Sequence, residues 1–358
     1  MKGVCLFGGH HAGYPRSGVI LEGLRRLGVP VVSCTASPRL KSPRRYTQLA
    51  ARYRSLGDEF DVVFVPEFRH KDVPLAWALA RARGKACVFD PLVSRYDTRV
   101  HDRGDAPDHG LQAWHNRNLD RVAMSLPDLV LADTREHAAY YRREAAAPDT
   151  TIRVLEVGYD DGMFRPAPPP APGAEFRVLF YGSYLPLHGV DVIVEAAERL
   201  RDDDGIHFEL IGGGQTFAEV ERRVRDGRLG RVNLVPRTPA AELPARIAGA
   251  SLCLGVFGRS AKARRVIPNK VYQCMGLERA VVTADTPAVR GVFQDGVEVL
   301  LVPAGDAGAL ARTIAALARD PARLGRIARA AGARVRRDFS PVPIARRFVS
   351  CCEEAMAR

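Results

Sequence analysis

The run KARRVIPNKVYQCMG, residues 262–276, gathers cations around a helix start. Proline is tolerated in the first turn of a helix, where its missing N–H would have no partner. Pro268 and Asn269 therefore mark a start, with Lys270 beside it. A helix N-terminus flanked by cations favours an anion. Three further segments follow strand-like runs and carry glycines or cations: GSYLPLHG at 182–189, GGGQ at 212–215 and GVFGRSAKARR at 255–265. Brought to one sheet edge, their backbone N–H groups would join Lys262, Arg264, Arg265 and Lys270 in holding a polyanion, and a nucleoside diphosphate suits such a site. GGGQ alone reads equally as a tight turn. Neither G-x-G-x-x-G after a first strand nor a P-loop is present.

The first half offers different chemistry. Asp90, in VFDPLVSRYD, follows a strand and either orients a substrate or caps the next turn. Arg95 and Asp97 stand close behind it. GHHAGYPRS presents Gly13 and Arg16, and EFRHK presents Glu67 and His70. Seven of the nine histidines (10, 11, 70, 101, 109, 115, 137) lie here, without zinc-site spacing. Asp202 and Asp204 have D-x-D spacing but sit in RDDDG, which reads as a solvated turn. No metal and no cofactor are expected.

The elements that must position these groups are legible as periodicity. Strand-like runs (GVCLF, VPVVSC, DVVFVPE, KACVFDP, DLVLADT, IRVLEVGYD) alternate with helix-compatible segments, as in a parallel sheet. RPAPPPAPGAE, residues 165–175, then places five prolines in eleven positions and behaves as a stiff connector. After it the pattern restarts with FRVLFYG, HFELIGGG, VNLVP, SLCLGVFG, AVVTAD and VLLVP. The expected fold class is α/β, with two Rossmann-like β/α/β domains facing each other across a cleft. The expected boundaries are 1–166 for the first domain, 167–175 for the linker, 176–338 for the second domain and 339–358 for a last helix.

Composition limits the rest. With 358 residues, 46% of them hydrophobic, the chain can bury two cores. Its seven cysteines are scattered and read as reduced, buried thiols. The net charge of +12 is uneven: residues 1–54 hold ten Lys/Arg against Glu22, and 301–358 hold eleven Arg against five acids, leaving the middle close to neutral. In RLKSPRRYTQLAARYRSL, Tyr46, Leu49, Tyr53 and Leu56 recur at helical spacing with Arg44, Arg45, Arg52 and Arg54 between them. That face is either simply solvated or a surface for an anionic membrane or phosphorylated acceptor. No nucleic acid is expected, since no aromatic platform accompanies the charge. No run of about 18 apolar residues occurs, and Met1-Lys2 leads into a short apolar stretch without signal-peptide architecture. A cytoplasmic protein is expected, with peripheral contact at the inner face of the membrane through its basic ends.

Together these residues resemble the GT-B glycosyltransferases, in particular the retaining family 4 (group 1) enzymes. FRVLFYGSYLPLHGVDVIVEAAERL is similar to the family's first strand and helix of the donor domain, and PNKVYQCMGLERAVVTADTPAVRGVFQDGVEVLLVPAGD to its nucleotide-sugar motif. DLVLADTREHAAYY and VGYDDGMFRP are similar to the segments that close the acceptor domain. The resemblance implies a metal-independent, retaining transfer from a nucleotide-diphosphate sugar to a hydroxyl acceptor that is lipid-linked, a glycan or a small molecule. It implies that 1–166 is an N-terminal acceptor-binding domain, that 176–338 is a C-terminal nucleotide-sugar domain, that the last helix, 339–358, packs back on the first domain, and that Asp90, Lys262 and Lys270 have catalytic roles. It implies donor contacts from Gly13, Gly182, Ser183, His188, Gly213, Gly214, Gln215, Arg265, Pro268, Asn269 and Gln273. Acceptor contacts would come from Arg16, Glu67, His70, Arg95 and Asp97. The chain departs from the family where two glutamates usually stand, at Arg265 and Gln273, and where an Arg and a Lys are common, at Ser183 and His188. Two alternatives share the fold: a sugar-nucleotide epimerase, whose acid–base cluster is not visible in the sequence, and a catalytically inactive sugar-nucleotide or partner-binding protein.

Overall fold

The computed structural model describes residues 1–9, 13–145, 147, 149–171, 173 and 175–357. His10 and His11 of GHHAGYPRS, and two positions of the proline-rich linker, lie outside the described residues. The chain divides into two compact units, residues 1–158 with 339–358, and residues 159–338. The division falls at Gly158 and not at 166 because the next residues pack on the second unit. A Cβ at Gly276 would come within 2.5 Å of the Tyr159 ring, and Arg279 donates to the Ala167 carbonyl at 3.0 Å.

Unit 1 alternates strands and helices: β1 (Val4–Gly8), α1 (Pro15–Arg26), β2 (Val31–Thr35), α2 (Ser42–Ser55), β3 (Val62–Val65), α3 (Val73–Ala82), β4 (Ala86–Phe89), α4 (Leu111–Ser125), β5 (Leu129–Ala132), α5 (Arg135–Glu144) and β6 (Ile152–Val154). The six parallel strands take the order β2-β1-β3-β4-β5-β6. β1, β3, β4 and β5 are buried along their whole length, which is why they read as unbroken apolar runs rather than alternating ones. Leu49 and Tyr53 of α2, Ala76 and Ala80 of α3, Ala123 and Met124 of α4 and Tyr141 of α5 form one core with Phe7, Val63, Cys87 and Val130, so these helices share one face of the sheet. α3 packs against both α2 and α4.

Unit 2 repeats the plan with β7 (Phe176–Ser183), α6 (Val190–Arg199), β8 (Ile206–Gly213), α7 (Phe217–Asp226), β9 (Val232–Val235), α8 (Leu243–Ala248), β10 (Leu252–Leu254), α9 (Asn269–Gly276), β11 (Ala280–Ala284), α10 (Pro287–Arg290), β12 (Leu300–Val302), α11 (Ala307–Ala318) and α12 (Pro321–Asp338). Its parallel strands run β12-β11-β10-β7-β8-β9. α13 (Pro341–Met356) then belongs to unit 1 and packs on α1. The helices meet so closely at Gly23 that a Cβ there would lie 2.0 Å from the Pro341 carbonyl oxygen.

All seven cysteines are buried and free. Among the described residues no helix is long and apolar enough to cross a membrane.

Candidate functional site

The unit 2 sheet reverses its strand order between β7 and β10, and in open α/β sheets ligands bind beyond the strand C-termini at that point. The segments after β7 and β10, and the start of α9, meet there. β7 and β8 pair in register up to Ser183 and Gly213. At Gly212 (φ +136°) a Cβ would fall 1.9 Å from the Gly182 carbonyl oxygen, so the two strand ends approach only as glycines. The bare Gly182 also leaves room for an ammonium: a Cβ there would stand 2.9 Å from Lys270 Nζ.

Lys270 is the distinctive group. It is 5% exposed, its Nζ has no hydrogen-bond partner, and it lies 3.8 Å from the centre of the Phe180 ring. Burial pulls its pKa down to about 7. His188 is held well below its ordinary value by burial and by Lys270 and Lys262, so its ring is neutral and its Nδ1 donates to the Ser183 carbonyl. No carboxylate stands among the groups that shift Lys270 or His188. Lys262 is 4% exposed at the turn Ala263–Arg265. For Lys270, a buried ammonium without a counter-anion costs free energy that a bound anion would offset.

The other residues expected to contact a donor fall around this point. α9 begins at Asn269, with Pro268 as its N-cap and no side chain capping it. Gln273 is buried, and its side-chain oxygen accepts from the Tyr181 hydroxyl at 2.7 Å, leaving the amide NH2 to donate. Ser183 and Gly213 are half-buried, Gly214 and Gln215 are exposed beyond β8, and Arg265 is half-buried. Beside Gly182 and Ser183 opens a cavity of about 540 Å³, lined also by Tyr181, Arg237, Thr238 and Leu243. The sequence reading missed this wall. Its signal was available, since PRTP follows the strand VNLVP just as the chosen loops follow theirs.

In unit 1 the ends of β1, β3, β4 and β5 collect a buried polar cluster. Arg16 and Asp90, both 0% exposed, form an ion pair at 2.5 Å. The other Asp90 oxygen accepts from the Leu92 N–H at 3.2 Å. Glu67 accepts from the Ser17 hydroxyl at 2.7 Å, and burial with Asp90 nearby raises its pKa to about 7. Asp90 is also raised by burial, against the opposing pull of Arg16. Asp133 contacts the His137 ring, which stacks on Tyr141 with centroids 5.4 Å apart. Burial, followed by Asp133 and Asp90, holds the Tyr141 hydroxyl far above its ordinary value. Neither Asp133 nor His137 was singled out from the sequence.

The structure places the residues expected on the acceptor side as follows. Arg16, Glu67, His70 and Asp97 are interior side chains. His70 lies against Phe89 and 3.4 Å from Asp120, and burial drops its pKa to about 3. Asp90, expected to be catalytic, is fully buried, paired with Arg16 and accepting from a turn N–H. Arg95 is the one expected acceptor residue that reaches half-exposure, while Gly13 is exposed, with open space where a Cβ would project. Spacing placed these residues at strand ends, but it carries no information on whether a side chain there faces out or is consumed inside. Among the described residues no group of three or more His, Cys, Asp or Glu could hold a metal ion.

Residues 175–320 match the model of the family described as glycosyl transferases group 1. The chain is 27% identical over 290 residues to a phosphatidyl-myo-inositol mannosyltransferase of Mycobacterium leprae, spanning 79% of this chain and 71% of that protein. Among solved structures, Anabaena HepE in complex with UDP aligns with a TM-score of 0.72 at 15% identity, over 98% of this chain and 99% of that one. Sucrose-phosphate synthase from Thermosynechococcus elongatus aligns with a TM-score of 0.74 at 16% identity, over 99% of both. The shared fold is GT-B.

Proposed function

We propose that this chain, a glycosyltransferase of group 1, moves a sugar from a nucleoside-diphosphate sugar to a hydroxyl acceptor with retention of anomeric configuration. The observation that carries this reading is the buried, unpartnered Lys270 at the point where the unit 2 sheet reverses its strand order. Lys270 and Lys262 hold the diphosphate, assisted by backbone N–H groups around Ser183, Gly213 and Gly214 and by the start of α9 at Pro268 and Asn269. His188 braces the loop after β7. Gln273, oriented by Tyr181, donates to the ribose, and Arg265 stands near the donor sugar. The cavity beside Arg237 takes the base. That HepE was solved with UDP makes uracil the first base to test.

In the transfer, the bond from the anomeric carbon to the diphosphate oxygen breaks as the acceptor oxygen attacks from the same face. The acceptor proton passes to the leaving phosphate oxygen. No protein nucleophile is required, and the chain contributes positioning and stabilisation of the charge developing on the diphosphate. With that charge met by two lysines, activity survives chelation of divalent metal. The relative named as a phosphatidyl-myo-inositol mannosyltransferase makes a lipid-linked hydroxyl the first acceptor to try. Such an acceptor suits peripheral contact between the basic chain ends and an anionic membrane face.

The test is calorimetry with UDP, GDP, dTDP and ADP, with and without EDTA, on the wild type and on Lys270→Ala. The expected result is one diphosphate that binds in EDTA and at least about tenfold more weakly to the variant, about 1.4 kcal/mol. Equal binding by both proteins would overturn the assignment of Lys270. One observation favours a second reading: Glu67, Asp90 and Asp133 gather carboxyl groups as an epimerase would need. Their burial counts against it, and conversion of a donor incubated without acceptor to an isomeric nucleotide sugar would establish it.

A further inference from the structure

Among the described residues exposed large apolar side chains are few, and the two most exposed, Leu111 at 87% and Trp114 at 67%, stand in the first turn of α4. Val122 follows, 47% exposed, and at 100° per residue it returns to within about 20° of Leu111. The same stripe holds His115, Asn118 and Arg121. α4 contains a single acid, Asp120, and it faces inward, 2% exposed, bonded to Ser94 and the backbone of Arg95 and Tyr96. The outward face of α4 is therefore apolar and cationic with no carboxylate.

The neighbouring helices continue the pattern. α2 and α3 contain no Asp or Glu at all, and both lie in the same layer as α4. α2 exposes Arg44, Arg52 and Arg54, while Arg45, counted with them from the sequence, is buried against Asp72 at 2.7 Å. α3 exposes Arg81. Cations thus flank an aromatic and aliphatic stripe on the α2–α3 side, while at its other margin stand Asp108, beside Leu111 and Trp114, and Glu144, which pairs with Arg117 at 3.2 Å. A protein interface of this charge would need an acidic partner, whereas an anionic bilayer supplies both the negative surface and the apolar interior that Trp and Leu favour at its boundary.

We infer that the α2–α4 layer is a docking surface for anionic lipid bilayers, with Leu111, Trp114 and Val122 entering the headgroup boundary and the flanking arginines meeting lipid phosphates. This moves the apolar anchor of membrane contact from the chain ends to α4. It stands on unit 1 alone and does not depend on the donor site.

The experiment is vesicle sedimentation of the full chain, with phosphatidylcholine alone and with phosphatidylcholine containing phosphatidylglycerol. It is run on the wild type, on Leu111→Ser/Trp114→Ser, and on Arg44→Glu/Arg54→Glu. Expected is binding to the anionic vesicles only, weakened by salt, and reduced at least about tenfold in both variants. Their melting temperature and nucleoside-diphosphate affinity should stay at wild-type values, because the altered side chains are exposed. In a Trp77→Phe background, Trp114 emission should shift to the blue on adding anionic vesicles. Equal binding to neutral vesicles, or wild-type binding by the Leu111/Trp114 variant, would overturn the inference. So would a self-associated species that the same variant abolishes in the absence of lipid, which would make this face a contact between copies.

Discussion

At the scale of single residues, burial brings Lys270 and Glu67 to titrate near pH 7, and each gives a pH signature. Lys270 titrates near 7 in the folded protein and near 10.5 in an unfolded chain. Its cost to stability is full below pH 7 and fades as pH rises toward 10.5, where both states are neutral. Lys270→Met should accordingly stabilise the empty protein at pH 6, by about 1–2 kcal/mol in denaturant titrations, with the gain shrinking by pH 10. The same variant should lose nucleotide affinity, a stability gain at the expense of function. In the wild type, a diphosphate that requires the protonated amine should bind more weakly as pH rises above 7, approaching tenfold per unit. The accompanying proton uptake should appear as a dependence of the calorimetric heat on buffer ionisation enthalpy.

Glu67 behaves in the opposite sense. Its folded pKa of about 7 lies above the ordinary 4.5, so its contribution is fully present below 4.5 and lost as pH rises through 7. Glu67→Gln keeps an oxygen for the Ser17 hydroxyl and removes the buried charge. It should raise stability at pH 8 by about 2 kcal/mol, with no difference at pH 4.5. Equal melting temperatures of the two proteins across that range would show that Glu67 is ionised without cost.

At the scale of elements, α13 shows how a distant segment completes a domain. Phe348 is fully buried, and its ring meets Phe64 of β3 edge-on, with centroids 4.8 Å apart. Phe348→Ala should cost unit 1 about 3–5 kcal/mol by creating a cavity. Nucleotide binding, which the proposed function assigns to unit 2, should survive at temperatures where both units remain folded. Loss of diphosphate binding with no change in melting temperature would mean that α13 supports the donor site by some route other than folding. α9 shows a local rule at work: Pro268 ends the extended approach, the helix starts one residue later, and Lys270 is delivered to the underside of the β7 turn.

At the scale of the whole molecule, all twelve strands and the restart after the proline-rich stretch were readable in the sequence. Buried parallel strands are continuous apolar runs, and a sheet with both faces covered leaves no other pattern open to them. The glycines and cations just after the unit 2 strands were readable too, and the fold gathers Gly182, Gly212 and Lys270 at one sheet edge. Three things were decided only by tertiary structure. Side-chain direction at the strand ends of unit 1 sent Arg16, Glu67, His70, Asp90 and Asp97 inward, where they pair or are shielded and do not meet solvent. The register of β7 with β8, invisible in either strand alone, set Gly182 against Gly212 and made the space into which Lys270 points. The layering of α2, α3 and α4 on one face gathered cations and apolar side chains that are separated in sequence. Periodicity is a property of neighbours along the chain, so the sequence determined elements and fold class. Pairing, burial and shared surfaces are properties of residues distant along the chain, and packing alone brings those together.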